Sequence, residues 1–110
     1  MAESSDQHIP TTFQLDLPAE NEAGSFADFA SIWHTENVFV LDFAALRGPA
    51  VDQTDDGGET RRVLPARVVS RIRIPPQQVF ELAKALTREL EAWEQQTGAR
   101  PPEAPFFPQS

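Results

Sequence analysis

The most regular hydrophobic pattern in the chain is a strand followed by a long helix. Across residues 64–74 the three arginines occupy alternate positions to most of the apolar residues, with the period of two that is typical of a half-buried strand. Pro75 and Pro76 favour a helix start, because proline is tolerated in a first helical turn. Gly98 is a good C-terminal cap. We therefore predict a strand over this stretch and then a helix from about Pro76 to Thr97.

The predicted helix carries a narrow apolar seam whose members are spaced 4-3-4-3, the spacing that packs one helix against another. The seam consists of Val79, Ala83, Leu86, Leu90 and Trp93. A helix of this length measures about 33 Å, which is more than four short strands need as cover. We therefore expect Leu90 and Trp93 to contact something other than this sheet.

Three further segments have the apolar content of strands. Residues 11–17 alternate strictly, with Phe13, Leu15 and Leu17 on one side, which predicts a half-buried strand. Residues 25–34 are apolar on both sides, which favours a strand that is covered on both faces or bulged. The same stretch also fits helical spacing, so a helix remains an alternative there.

Residues 38–43 give the clearest strand, because β-branched and aromatic residues dominate. A hairpin turn is expected over residues 34–37. Strict alternation would direct Phe39, Leu41 and Phe43 to the core. It would direct the residues between them outward, and these are Val38, Val40 and Asp42.

On the strand at residues 64–74, alternation predicts that Arg67, Val69, Arg71 and Arg73 share one face. Arginines in such a position stay solvated or pair with carboxylates, and Asp42 on the preceding strand is the expected cross-strand partner. The residues between these two strands, 47–62, contain strong breakers and are predicted to be a loop. A mobile surface loop is favoured, and a functional loop is the alternative.

These elements predict an α+β fold, an antiparallel sheet of about four strands followed by one long C-terminal amphipathic helix. Residues 11–99 would form the single domain, with a flexible N-terminus over residues 1–10. A Pro-rich disordered tail is expected over residues 100–110. Its adjacent Phe106 and Phe107 are candidates for docking on this or another protein, although incidental sequence in a frayed tail explains them equally well.

The charge of the chain is divided unevenly between its two halves. The net charge is −8, but residues 1–60 hold twelve acids and one base, whereas residues 61–110 hold five acids and eight bases. The acidic half argues against non-specific binding to nucleic acid or to an anionic membrane. The favoured explanation is that excess acid keeps a small protein soluble, and self-association of the acidic half with the basic strand is the alternative.

Composition also limits the compartment and the chemistry. There is no cysteine, which excludes thiol catalysis and fits a cytoplasmic protein, and no apolar stretch approaches the length that spans a bilayer. His8 and His34 are the only histidines, and neither lies in a catalytic or metal-binding motif. The acids of residues 52–59 lack the ligand spacing of a calcium loop. We therefore predict no catalytic residue, no metal ligand and no cofactor.

The sequence from residue 26 to residue 98 resembles a family of short bacterial proteins, the domain of unknown function number thirty-four sixty-seven. The matching stretches are Phe26-Ala27-Asp28, His34-Thr35, residues 39–43, Gly48-Pro49, residues 66–72 and Leu82-Ala83-Lys84-Ala85-Leu86, with Glu94 and Gly98 near the end. The chain departs from the family in its acidic insertion at residues 52–59 and in Trp93, where relatives tend to have tyrosine. The resemblance implies a small, oligomeric α+β protein of the cytoplasm, and it implies no activity.

Our preferred hypothesis is a non-enzymatic interaction or scaffold protein, a dimer or tetramer. It would associate through the helix seam or through an outer apolar strip of Val38, Val40 and Val69. The order of strands and long helix is similar to that of the export chaperone SecB, so a holdase for unfolded chains is the first alternative. The second is a nucleic-acid or nucleotide binder that uses Arg67, Arg71 and Arg73, although nucleic acid is the less expected partner.

Overall fold

The structure is a computed structural model and describes residues 9–102. Its elements, in chain order, are a one-turn 3-10 helix (Ala19–Asn21), β1 (Phe29–His34), β2 (Phe39–Leu46), β3 (Val51–Thr54), β4 (Thr60–Val63), β5 (Ala66–Ile74) and the helix α1 (Pro76–Thr97). Strands β1, β2 and β5 form one antiparallel sheet in that order, so β2 is central. Strands β3 and β4 form a separate hairpin. The α+β class with a long C-terminal helix is confirmed.

The predicted strand at residues 11–17 is wrong for the isolated chain. These residues form no helix, strand or turn, and the side chains of Phe13 and Leu15 are 87% and 91% exposed. Alternation only fixes which side chains would share a face. A strand also needs a neighbouring edge that supplies hydrogen bonds, and within residues 9–102 no such edge pairs with this segment. Among residues 9–102 the main sheet therefore has three strands, and residues 11–17 are not a fourth.

The predicted loop at residues 47–62 contains the β3–β4 hairpin. The Gly58 N–H donates to the Asp55 carbonyl oxygen at 3.0 Å, and Gly58 has a positive φ of 82°. Such a turn closes a hairpin with a short loop, and the left-handed position suits glycine. The Asp55 carboxylate also accepts a bond from the Glu59 N–H at 2.9 Å. Asp55 and Gly58, which predicted a loop because such residues interrupt helices and strands, therefore form the turn between β3 and β4.

Strict alternation fails on β5 because the strand contains a bulge. Phe43 pairs with Ser70 and Ala44 pairs with Val68, so Val69 is an extra residue in β5. Residues beyond the bulge change faces. Arg67, paired with Ala45, therefore lies on the face opposite to that of Arg71 and Arg73. The prediction that the three arginines share one face is wrong.

The outer apolar strip of Val38, Val40 and Val69 is also not continuous. Val69 lines a cavity together with Phe43 and Ile72, which places it on the face opposite to that of Val40. Val40 is only 1% exposed, because its cross-strand partners Trp33 and Arg73 flank it on both sides. A residue in the central strand is covered even when alternation directs it away from the helix.

Helix α1 has the predicted bounds, Pro76–Thr97, and Gly98 caps it with a φ of 74°. Its first turns pack over the sheet. Val79, Leu82 and Leu86 line one side of a cavity of about 140 Å³, and Ile32, Leu41 and Ile74 are among the residues on its other side. We call this side of the sheet the inner face, and the side of Asp42 and Arg71 the outer face. No residue of α1 is fully buried.

Candidate interaction surfaces

The outer face carries a compact charged cluster centred on Asp42. The Arg71 Nε donates to Asp42 Oδ1 at 2.6 Å and its Nη2 donates to Oδ2 at 2.8 Å, which is a two-point pair between neighbouring strands. The Trp33 Nε1 donates to Oδ2 at 3.4 Å. The Arg71 guanidinium carbon also lies 5.6 Å from the centre of the Trp33 ring, within the range of a cation–π contact. The predicted pairing of Asp42 with an arginine of β5 is confirmed for Arg71.

This cluster fixes the charge state of its two ionisable members. The hydrogen bonds from Arg71 hold the pKa of Asp42 below its usual value, against the opposing effect of desolvation. The same bonds raise the pKa of Arg71. Asp42 is 7% exposed and is the only buried ionisable residue within residues 9–102. A carboxylate in this environment stays ionised and is a poor proton donor or acceptor near neutral pH.

Sequence reasoning missed Trp33 as a member of the cluster. The residue had been assigned to a strand with apolar residues on both sides, which gave no preference for either face. The hairpin turn supplies the missing signal. The Thr35 N–H donates to the Val38 carbonyl oxygen, so Trp33 pairs with Val40 and lies diagonally beside Asp42.

The inner face is apolar and only partly covered. Beside the cavity under α1, a second and open cavity of about 340 Å³ is lined by Ser25, Ala27, Phe43, Val69, Ser70 and Ile72. Ile32 and Ile72, on the two edge strands of the sheet, are 51% and 44% exposed. Much of the apolar side of this sheet therefore faces water in the single chain.

The far half of α1 carries apolar side chains that are largely exposed within the described chain. Leu86, Leu90 and Trp93, which we call the distal helix face, are 62%, 53% and 51% exposed. Val79 and Leu82, two turns and one turn before Leu86, are half-buried against the sheet. The first members of the predicted seam, up to Leu86, line the cavity against the sheet, whereas Leu90 and Trp93 lie beyond it.

The acidic side chains and His34 are the other residue types in which a metal or catalytic site was considered. No group of three or more His, Asp or Glu side chains within residues 9–102 is placed to hold a metal ion. His34 stacks on Phe39, with ring centroids 5.1 Å apart. Phe106 and Phe107, with the rest of the tail from residue 103, lie outside the described residues, as do residues 1–8.

Among residues 9–102, no helix is long and apolar enough to cross a bilayer. The model of a family described as "Protein of unknown function (DUF3467)" matches residues 1–99 of the chain. The match spans the β3–β4 hairpin, including the acidic residues 52–59. Neither the curated proteins nor the solved structures give a match to this sequence.

Proposed function

Because the chain belongs to the DUF3467 family, whose description assigns no activity, we propose a function from its surfaces: a non-enzymatic protein that associates with copies of itself and presents apolar surface to other proteins. The observation that carries the proposal is the distal helix face. Leu86, Leu90 and Trp93 form a stripe on α1 whose side chains are all more than half exposed within the described chain, and of the three only Leu86 lines the cavity under the helix.

The small core of the single chain supports association. Among residues 9–102 the buried apolar residues are Val40, Leu41 and Ala44, all in one strand. Burial of apolar surface is the main favourable contribution to folding, at roughly 25 cal/mol per Å². A chain that buries so little gains stability when a second copy covers its inner face and distal helix face.

The non-enzymatic part of the proposal rests on Asp42. Catalytic acids and bases have pKa values near the working pH and lie in reach of substrate. Asp42 has a lowered pKa and accepts bonds from Arg71 and Trp33, which is the arrangement of a structural ion pair.

The test is the native mass of the wild type beside the Leu90→Glu/Trp93→Glu variant, measured by sedimentation at tens of micromolar. We expect the wild type to be a dimer or tetramer and the variant a folded monomer. A central tryptophan anchor commonly contributes about 2 kcal/mol or more, and a glutamate in place of Leu90 would bury a charge at the contact. The dissociation constant should therefore rise at least about a hundredfold.

The matched control is Gln77→Glu/Gln95→Glu. It adds the same charge to the same helix, but at 100° per residue it lies on the opposite side from Leu90 and Trp93. This control should keep the wild-type mass. A monomeric wild type with normal helix content would refute self-association.

A holdase activity is the second candidate, and the exposed inner face favours it. The open cavity beside Phe43 and Ile72 has the apolar lining that an extended, unfolded segment could contact. The test is suppression of aggregation of a heat-denatured client at near-stoichiometric ratio. The activity should fall in an Ile72→Glu variant. Val68→Glu serves as the control, because Val68 is similarly exposed but pairs with Ala44 on the outer face.

Nucleic-acid binding has less support from the geometry. Arg71 is neutralised by Asp42, and the bulge separates Arg67 from Arg73. A phosphate-binding strand needs unpaired cations together on one face. Salt-dependent binding of single-stranded RNA that is lost in the Arg67→Ala/Arg71→Ala/Arg73→Ala variant would be required to support this function.

A further inference from the structure

The N-terminal segment of residues 11–17 has the pattern of a strand but lacks a partner. Phe13, Leu15 and Leu17 are all largely exposed. Within residues 9–102, no hydrogen bond or ion pair involves residues 10–17. An extended amphipathic segment with unpaired backbone groups is a natural donor for the free edge of a sheet.

The sheet offers such an edge at β5. Strand β5 pairs with β2 on one side only, and within the described chain no strand occupies its other side. Its inner-face residues toward the helix are Ile72 and Ile74, and its outer-face residues there are Arg71 and Arg73. Arg73 has no ion-pair partner within residues 9–102.

We infer that residues 11–17 of one copy add to the β5 edge of a second copy as a fourth strand. Residues 11–17 of the second copy add in the same way to β5 of the first. The inference deepens the proposed self-association and uses a surface separate from the distal helix face. It also gives the alternation of residues 11–17 the half-buried role that the single chain does not provide.

The alternation of apolar and polar residues over residues 13–17 matches the alternation of β5 over residues 70–74. When Phe13, Leu15 and Leu17 face the inner side with Ile72, the alternate residues Gln14 and Asp16 face the outer side. Asp16 then lies beside an arginine of β5, Arg73 in a parallel arrangement and Arg71 in an antiparallel one. If residues 13–17 pair with residues 70–74, Leu15 lies opposite Ile72 in both the parallel and the antiparallel arrangement.

Charge selects β5 over the other edge strand. Residues 29–34 of β1 contain no basic residue apart from His34, so they offer little attraction to Asp16. The segment also carries Glu20 and Glu22 shortly after it. The arginines of β5 are the complementary charge on the same sheet.

The connection within one chain favours a second copy as the acceptor. Residues 18–28 lead from the segment into β1, which is at the opposite edge of the sheet from β5. To reach its own β5 the chain would have to cross the inner face, where α1 starts, or the outer face, where Trp33 and Arg71 lie. A second copy presents its β5 edge without that crossing.

The test uses the absence of native cysteine. Leu15→Cys and Ile72→Cys chains of different tag length are mixed at tens of micromolar and mildly oxidised. We expect the mixed disulfide dimer to form at several times the yield of the disulfide-linked homodimer that each variant forms alone. The reason is that paired strands place Cα atoms within disulfide range. Both sites are exposed enough for substitution, and circular dichroism confirms folding of each variant.

The matched control pairs Leu15→Cys with Ile32→Cys, an isoleucine of similar exposure on the inner face of the other edge strand. Equal yield with Ile32→Cys would overturn the choice of edge. A Leu15→Cys/Ile72→Cys double variant that closes on itself as a monomer would overturn the exchange between copies. A mixed dimer at background yield would overturn the inference altogether.

The same crosslink in the Leu90→Glu/Trp93→Glu background separates the two proposals. A crosslink that persists there shows strand exchange without the helix contact. A wild type that is oligomeric but gives no crosslink leaves the proposed function intact and refutes the exchange. Independently, Leu15→Asp should weaken association about tenfold or more, whereas Gln14→Asp, one residue away on the charged side, should not.

Discussion

Strand β2 and helix α1 are the two elements that the sequence predicts most clearly, but β2 contains buried residues and α1 contains none. Every fully buried residue within residues 9–102 lies in β2, and these are Val40, Leu41, Asp42 and Ala44. The helix has 22 residues and none of them is buried. A central strand is covered by its two neighbours, whereas a helix is covered only where another surface lies across it.

The difference shows that regular structure and stability have separate origins in this protein. Local signals are enough to define α1, with prolines at its start and a glycine cap at its end. Isolated helices are nevertheless marginal in water, and most helix stability in proteins comes from packing of an apolar face. The exposed face of α1 is therefore the surface where the proposed second copy would add stability.

The largest expected effect is in β2. Leu41→Ala should destabilise the protein by about 2–5 kcal/mol, because it removes a buried leucine and leaves a cavity between the sheet and α1. The measurement is the free energy of unfolding in urea, with circular dichroism to confirm the native fold. A loss below about 1 kcal/mol would show that β2 is no better packed than α1.

The next effect concerns the outer face and depends on pH. The pKa of Asp42 is lower in the folded state than in the unfolded chain, where it is about 3.9. The pair with Arg71 therefore stabilises the fold fully above that value, and its contribution is lost as pH falls through the folded-state pKa. Asp42→Asn should lower stability at neutral pH and make the urea midpoint less sensitive to acid below about pH 4.

The control for this pH effect is Asp52→Asn. Asp52 pairs with Arg62 at 3.1 Å, but both side chains are exposed and lie on the separate hairpin. Exposed pairs contribute little to stability. If both variants changed the acid sensitivity equally, the Asp42 cluster would have no special role in the core.

The sequence predicted the elements that depend on local patterns. Prolines and Gly98 defined α1, and β-branched and aromatic residues defined β2. Asp42 was matched with the arginines of β5 because adjacent antiparallel strands place such residues opposite one another. These features need only neighbouring residues or one strand pairing.

The features that the sequence failed to predict depend on more than neighbouring residues or one regular strand pairing. The bulge at Val69 moves Arg67 to the other face, and no pattern in residues 64–74 marks the extra residue. The alternation of residues 11–17 indicates a strand but not the edge that would complete it. Likewise, the helix seam was visible in the sequence, but not the point after Leu86 where the seam extends past the cavity against the sheet.

A smaller effect tests the local origin of α1. Gly98 has a φ of 74°, and its N–H donates to the Glu94 carbonyl oxygen at 2.8 Å. Gly98→Ala should cost about 1 kcal/mol, because a side chain disfavours this left-handed backbone. Nothing lies within 4 Å of the added Cβ, so the cost is one of backbone conformation alone. Urea unfolding measures it, and an unchanged midpoint would mean that the helix end contributes nothing to the stability of the fold.

The smallest effect on the single chain, and the one that distinguishes most sharply between β2 and α1, is expected for Leu90→Ala. Leu90 is 53% exposed, so at high dilution its truncation should change the free energy of unfolding by no more than about 0.5 kcal/mol. At tens of micromolar the loss should grow, because the residue then contributes to association and stability becomes concentration-dependent. Leu41→Ala should instead cost the same at both concentrations. An equal and concentration-independent loss for both leucines would mean that the distal helix face packs within its own chain.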